Sequence, residues 1–271
     1  MALTEFQRRV CRLIAKNRID QGESYVAGGV ALNTLTGASR VSRDIDLFHD
    51  TPTALQATWT ADRTRLEAEG LSVQVIRERP SFVEARVWRG QDDVLMQWAQ
   101  DSAFRFFPLV SHEELGLTLH PFDLATNKVL ALVGRLEVRD WIDVITCHDR
   151  IQPLGYLAWA SSGKDPGFGP AAILEQAGRS TRYSDDEVRS LSFEGAPPDS
   201  ATLSRAWHTM LREARDILDR LPSDKVGTCV LAESGDLFRG GAAELAKALS
   251  GGRIRFHPGR IKGAYPALVR S

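Results

Sequence analysis

The chain has little cysteine and little methionine, three of each in 271 residues. Cys11, Cys147 and Cys229 are far apart, odd in number and free of any CxxC spacing. That excludes a disulfide framework and a zinc site legible in sequence, and it suits a reducing cytoplasm. An excess of one charge is lacking too: Lys and Arg number 34, Asp and Glu 35, for a formal net charge of −1. A nucleic-acid partner would therefore need a local basic patch rather than a basic protein. No stretch reaches the roughly 18 apolar residues of a membrane span. The charges in MALTEFQRRVCRLIAKN leave no signal-peptide core. The expectation is a cytoplasmic protein with no membrane partner. The six histidines are scattered without metal-ligand spacing, and no serine stands in a Gly-x-Ser-x-Gly elbow. Repeats and low-complexity tracts are absent.

What is present reads as alternating elements. Thr4 and Gln7 make a capping box for an amphipathic helix over 4–17. A short strand at 24–27 stops at Gly28-Gly29 and feeds one or two helical turns closed by Gly37. Val41 to Phe48 has strand alternation. A helix over 53–69 ends at Gly70, and strands follow at 71–76, 82–88 and 94–99. From Pro121 the pattern turns helical: Asp123 as cap of a helix to about 136, a second helix over 138–147, and a long one over 201–220. The stretch 161–169 reads as a loop, and strands recur near 228–232 and 253–257. This gives an α/β (α+β) class, with a mixed-sheet lobe over 1–118. A mainly helical lobe would cover 119–271, with a small strand region near 226–260.

Three features carry chemistry. Gly28-Gly29, between a strand and a helix, lets backbone N–H groups approach a phosphate without Cβ interference. In Arg40-Val41-Ser42-Arg43-Asp44-Ile45-Asp46 the two carboxylates project from one face of a strand, about 7 Å apart. Like charges so close favour a bound hard cation such as Mg²⁺. Lys128 and Arg135 share a face of one predicted helix, and Asp140 and Asp143 share a face of the next, where either could anchor those cations or act as a base.

Together these residues resemble the nucleotidyltransferase AbiEii/AbiGii toxin family. The matching segments are Ala27-Gly28-Gly29-Val30-Ala31-Leu32, Arg40-x-Ser42-x-Asp44-x-Asp46-Leu47-Phe48, Asp123-Leu124-Ala125-x-x-Lys128 and Arg139-Asp140-x-x-Asp143, covering about residues 1–150. The resemblance implies a DNA polymerase β-like nucleotidyltransferase lobe followed by a helical region. It implies transfer of a nucleoside monophosphate from a nucleoside triphosphate to RNA, tRNA among them, or to protein. A cognate antitoxin would be a partner. By that resemblance Asp44 and Asp46 are metal-binding and catalytic, Gly28 and Gly29 hold phosphates, Lys128 meets the triphosphate, Asp140 orients the acceptor or the lysine, and Arg40 and Ser42 flank the triphosphate.

One position departs from the pattern. Nucleotidyltransferases of this fold often carry a third carboxylate on a later strand, where this chain has Gln97, which neither takes a proton at neutral pH nor adds charge to a metal. Asp101 or Asp140 would then assist, or transfer would be impaired. Two alternatives stay open. One is a small-molecule nucleotidyltransferase with an acidic pocket around Glu187, Glu194 and Asp199. The other is a degenerate member that binds a nucleotide or a partner without turnover. The dispersed basic residues from Arg239 to Arg270 form a possible RNA face.

Overall fold

The computed structural model describes residues 3–179 and 183–267. They form two compact units. The first comprises the chain up to Ala103 with Leu109–His120 and Ser192–Gly195; the second comprises Phe104–Pro108, Pro121–Leu191 and the chain from Ala196 onward.

The first unit is a seven-stranded mixed sheet with helices α1 (Glu5–Gln21) and α3 (Pro52–Ala68) packed on one face. The strand order is β4 (Ser72–Arg79), β5 (Phe82–Arg89), β6 (Asp92–Gln100), β3 (Asp44–His49), β1 (Ser24–Val26), β9 (Gly116–Thr118), β8 (Val110–His112). β3 runs parallel to β6, whereas β4, β5 and β6 form an antiparallel meander. Strand alternation decides the faces. Ile45, Leu47 and His49 of β3, Val83, Ala85 and Val87 of β5, and Val94, Met96 and Trp98 of β6 are the buried set. Asp44, Asp46 and Phe48 alternate with them on a half-buried face. Each hairpin strand extends further than the apolar pattern alone predicts, because pairing continues through Arg79–Phe82 and Arg89–Asp92.

The capping box of α1 forms, and it also corrects one expectation. Thr4 N–H donates to Gln7 Oε1 (2.9 Å) and Gln7 N–H to Thr4 Oγ1 (3.1 Å). The same Gln7 amide donates through Nε2 to the carbonyls of Ser42 (2.9 Å) and Arg43 (3.0 Å). The run from Val41 to Phe48 is therefore not one strand. β2 (Arg40–Val41) pairs with β10 (Ser192–Phe193), and β3 begins only at Asp44.

Two polar clusters lie inside this unit. The carboxylate of Asp62 accepts from Arg18 (2.7 and 2.8 Å), Asn17 (2.8 Å) and Trp98 Nε1 (2.9 Å), with Arg18 and Asp62 fully buried. His49, also buried, lies 3.2 Å from the Ala99 carbonyl through Nδ1 and 3.1 Å from Ser24 Oγ through Nε2. A carbonyl only accepts, so Nδ1 carries the proton and Nε2 accepts from the serine. Burial pushes His49 down from 6.5 to about 4. Between those values the unfolded chain binds a proton that the folded one refuses, so stability is full above pH 6.5 and falls as pH drops toward 4. The expected loss is about 3 kcal/mol at most, at 1.36 kcal/mol per pH unit. Urea denaturation at pH 7 and pH 4.5 should show this slope, reduced in His49→Asn; an equal slope in both would refute it.

The second unit is mainly helical: α4 (Pro121–Arg135), α5 (Val138–Arg150), α6 (Leu154–Ser161), α7 (Pro170–Ala177), α8 (Asp185–Arg189), α9 (Ser200–Leu218) and α10 (Ala242–Ser250). β11 (Thr228–Ala232) pairs with β12 (Ile254–Pro258), and β7 (Phe104–Arg105) with β13 (Arg260–Ile261). α6 was not visible as a helix in the pattern. Its sequence LGYLAWAS is apolar on every side, so it shows no period, and all eight residues are buried as the centre of the unit. Tyr156 and Trp159 from it pack with Ile217, Leu221, Val230 and Leu245. Asp123 is not a cap either. Within α4 its buried carboxylate accepts from the N–H groups of Phe106 (2.9 Å) and Phe107 (3.0 Å) and pairs with Lys164 (2.8 Å). No helix among the described residues is long and apolar enough to cross a membrane.

Candidate active site

In the first unit, β1 ends against the start of α2 (Gly28–Thr36), whose cap, Ala27, supplies no side-chain hydrogen bond. Ala27 itself thus leaves the N–H groups of that first helical turn to another acceptor, as an anion site requires. Gly28 has φ +64°, and a Cβ there would lie 2.0 Å from Asp46 Oδ2. The Asp46 carboxylate occupies the space where any other residue would place its side chain. Gly29 is as confined: its Cβ would lie 2.7 Å from the Arg40 guanidinium and 2.8 Å from Ser42 Oγ. Gly28 is therefore demanded by close approach and by backbone sign, whereas a side chain at Gly29 would have to displace Arg40 and Ser42.

Five of the predicted residues, Gly28, Gly29, Arg40, Ser42 and Asp46, thus come together around one helix start. Asp44 stands two residues before Asp46 on the same half-buried face of β3. Arg40 is buried, and its carbonyl accepts from Asn33 Nδ2 at 2.9 Å, which ties α2 to β2. The donors on this face are carboxylate and amide oxygens, the set that suits a hard cation such as Mg²⁺ rather than zinc. Among the described residues no three His, Cys, Asp or Glu side chains converge to form a metal cluster. Gln97, an amide, pairs in register with Asp46 on the neighbouring strand.

The other predicted residues form a separate cluster in the second unit. Lys128 Nζ lies 3.0 Å from Asp140 Oδ1 and 3.0 Å from Asp143 Oδ2. Arg135 grips Asp140 with two bonds, Nε to Oδ2 at 2.6 Å and the terminal nitrogen to Oδ1 at 3.0 Å. Burial alone would push the Asp140 carboxyl up, but the Arg135 hydrogen bond and the Lys128 ammonium outweigh it and hold the group below the ordinary carboxylate value. Asp143 engages Lys128 as closely as Asp140 does, so the lysine is held by a carboxylate pair.

Several side chains fall away from function. Trp98 and Phe106 are fully buried core aromatics. His112 Nδ1 accepts from the N–H groups of Glu114 and Leu115, and His257 binds the carbonyls of Phe106 and Ala264. Glu187 caps α8 through Ser184 and Asp199 caps α9 through Thr202, so both carboxylates have a structural role at a helix start. In the basic tail, Arg239 binds the Asp149 carbonyl and Arg260 that of Gly263; Arg270 lies outside the described residues. One pair escaped sequence reading: Gln97 Nε2 donates to Glu84 Oε1 at 2.9 Å. Only the β5–β6 register, which sets Glu84 opposite Gln97, could have revealed it.

The fold, as distinct from the site, is one seen in solved nucleotidyltransferase structures. Among solved structures, MenT4, a nucleotidyltransferase toxin of Mycobacterium tuberculosis H37Rv, superposes with a TM-score of 0.52 at 15% identity, over 81% of this chain and 83% of that one. JHP933 from Helicobacter pylori superposes with a TM-score of 0.50 at 15% identity, over 80% of this chain and 95% of that one. No family model and no curated protein matches the sequence.

Proposed function

We propose that this chain is a Mg²⁺-dependent nucleotidyltransferase that moves a nucleoside monophosphate from a nucleoside triphosphate to RNA, and that it is the toxin of a cytoplasmic toxin–antitoxin pair with a cognate antitoxin as partner. The observation that carries the reading is the seating of the Asp46 carboxylate against Gly28 at the start of α2. In this reading a phosphate-binding turn at Gly28 and a metal-binding carboxylate on β3 adjoin. MenT4 being a toxin of the same fold supports the biological part.

In this reading Gly28, Gly29 and the first turn of α2 receive phosphate oxygens, with Arg40 and Ser42 beside them. Asp44 and Asp46 hold the cation, which when bound polarises the phosphoryl oxygens and offsets charge on the leaving pyrophosphate. Lys128 meets the triphosphate, and Asp140 and Asp143 orient it. The test is transfer of label from each of the four α-labelled triphosphates to total RNA or protein, with γ-labelled ATP as control. Labelled RNA is the expected result. Label on protein would reassign the acceptor, and γ-label alone would make the chain a phosphotransferase.

The first helix favours RNA over protein. Arg9, Arg12 and Lys16 recur at helical spacing, and with Arg8 and Arg65 they line a groove of about 610 Å³. Glu114 offsets Arg8 and Arg12. Like charges three and four apart destabilise a helix unless an anion lies over them. A polyanion is such a partner, and the row begins near Gln7, whose side chain binds the Ser42–Arg43 loop. The Arg9→Glu/Lys16→Glu protein is expected to bind RNA at least about tenfold more weakly. The slope of log K against log salt should fall by about 1.4, two phosphates at roughly 0.7 each. Unchanged RNA affinity, measured with nucleotide binding intact, would remove this surface from the reading.

A further inference from the structure

β6 lies between β5 and β3, and the registers place Glu84 opposite Gln97 and Gln97 opposite Asp46. Paired residues of neighbouring strands project to the same face. Glu84, Gln97 and Asp46 therefore form one row across the sheet, on the half-buried face that also carries Asp44. Within that row the orientation of the amide is chemically determined. An ionised carboxylate only accepts, so the group of Gln97 that meets Glu84 at 2.9 Å must be its NH₂. With the nitrogen turned toward β5 by one of its two N–H donors, the carbonyl oxygen lies on the other branch of the planar amide, away from Glu84. Donation to a charged acceptor also polarises the amide and makes that oxygen a better ligand.

We propose that Glu84 is a positioning residue: it fixes the Gln97 amide so that the carbonyl oxygen joins Asp44 and Asp46 as a neutral third donor to the divalent cation. This rests on the metal-binding reading of the Asp44/Asp46 face. The substitution of amide for carboxylate at Gln97 then reduces the charge of the donor set without removing a ligand, and Glu84 supplies the missing negative charge one strand away, where it acts through the amide. Asp101 and Asp140 are not needed as substitutes.

Mn²⁺ titration of the full chain, read from the electron paramagnetic resonance signal of the free ion, tests this without any turnover. Gln97→Ala should weaken Mn²⁺ binding about tenfold and Glu84→Ala about threefold to tenfold. The Glu84→Ala/Gln97→Ala double variant should be no weaker than Gln97→Ala alone, since Glu84 acts only through the amide. Glu84→Asp, which still accepts, should recover part of the loss. Equal urea midpoints would show that the variants fold. Additive losses in the double variant would make Glu84 a direct ligand and overturn the proposal, as would wild-type affinity in Glu84→Ala. Asp46→Asn separates the two levels of the argument. If it abolishes Mn²⁺ binding while Glu84→Ala does not alter it, only the positioning role fails. If Asp46→Asn binds like wild type, the metal reading fails and the positioning role with it.

Discussion

Asp46→Asn is expected to fold like the wild-type protein and to transfer label at least about a thousandfold more slowly, equivalent to ~4 kcal/mol of transition-state stabilisation. The asparagine keeps the shape that fits against Gly28, so the packing of the turn survives while the charge is lost. Asp44→Asn should behave similarly, because both carboxylates stand on the same face of β3 and share the cation. The expected kinetic signature is a fall in kcat and kcat/KM together, since an interaction with charge that develops during displacement is stronger in the transition state than in the bound substrate. A rise in KM alone would mean that the carboxylates only help to bind the triphosphate. In cells, the wild-type chain should arrest growth in the absence of an antitoxin, and Asp46→Asn should not. Growth arrest by both would detach toxicity from nucleotide transfer and favour a binding protein that acts without turnover.

The site was legible in sequence to the extent that its reasons are local. Two glycines after a strand, then alternate aspartates on another strand, point to a candidate phosphate-and-metal face, and the structure places Gly28 against Asp46. The structure supplies a different and stronger reason for Gly28: the Asp46 side chain, 18 positions away, fills the volume of a Cβ. The interruption between β2 and β3 is not legible, because the carbonyls there are taken up by Gln7, more than 30 residues upstream. Nor was Asp123, which looks like a cap from its place before an apolar run but accepts from the backbone of Phe106 and Phe107. α6 lacked a period because it has no polar face to generate one. Glu84 looks like an ordinary charged residue of a hairpin until the β5–β6 register sets it beside Gln97. Apart from α6, the missing information was a contact between distant segments, which composition and periodicity do not encode.

Asp62→Ala should be the most destabilising single change in the first unit, costing about 3–5 kcal/mol of folding free energy. The carboxylate is the common acceptor for Arg18, Asn17 and Trp98, and it joins α1, α3 and β6 at one point. Its removal leaves a fully buried guanidinium with no counter-charge and an indole N–H with no acceptor, two costs that water cannot relieve at zero exposure. Asp62→Asn keeps an acceptor and should cost less. Arg18→Met/Asp62→Leu removes both charges and should recover much of the loss, because a buried ion pair contributes little net stability over apolar residues of similar size. Urea denaturation of the three variants gives the comparison; a loss below about 1 kcal/mol in Asp62→Ala would show that Arg18 finds another partner. The consequence reaches the active face. Trp98 is held by Asp62 on the buried side of β6, and its neighbour Gln97 stands on the other side opposite Asp46. The backbone pairing of β6 with β3 and β5 keeps the register, but a strand that loses its anchor at Trp98 is held less firmly at Gln97. Asp62→Ala, where it folds, should therefore weaken Mn²⁺ binding although no atom of Asp62 reaches that face, and Asp62→Asn, which keeps the acceptor for Trp98, should weaken it less.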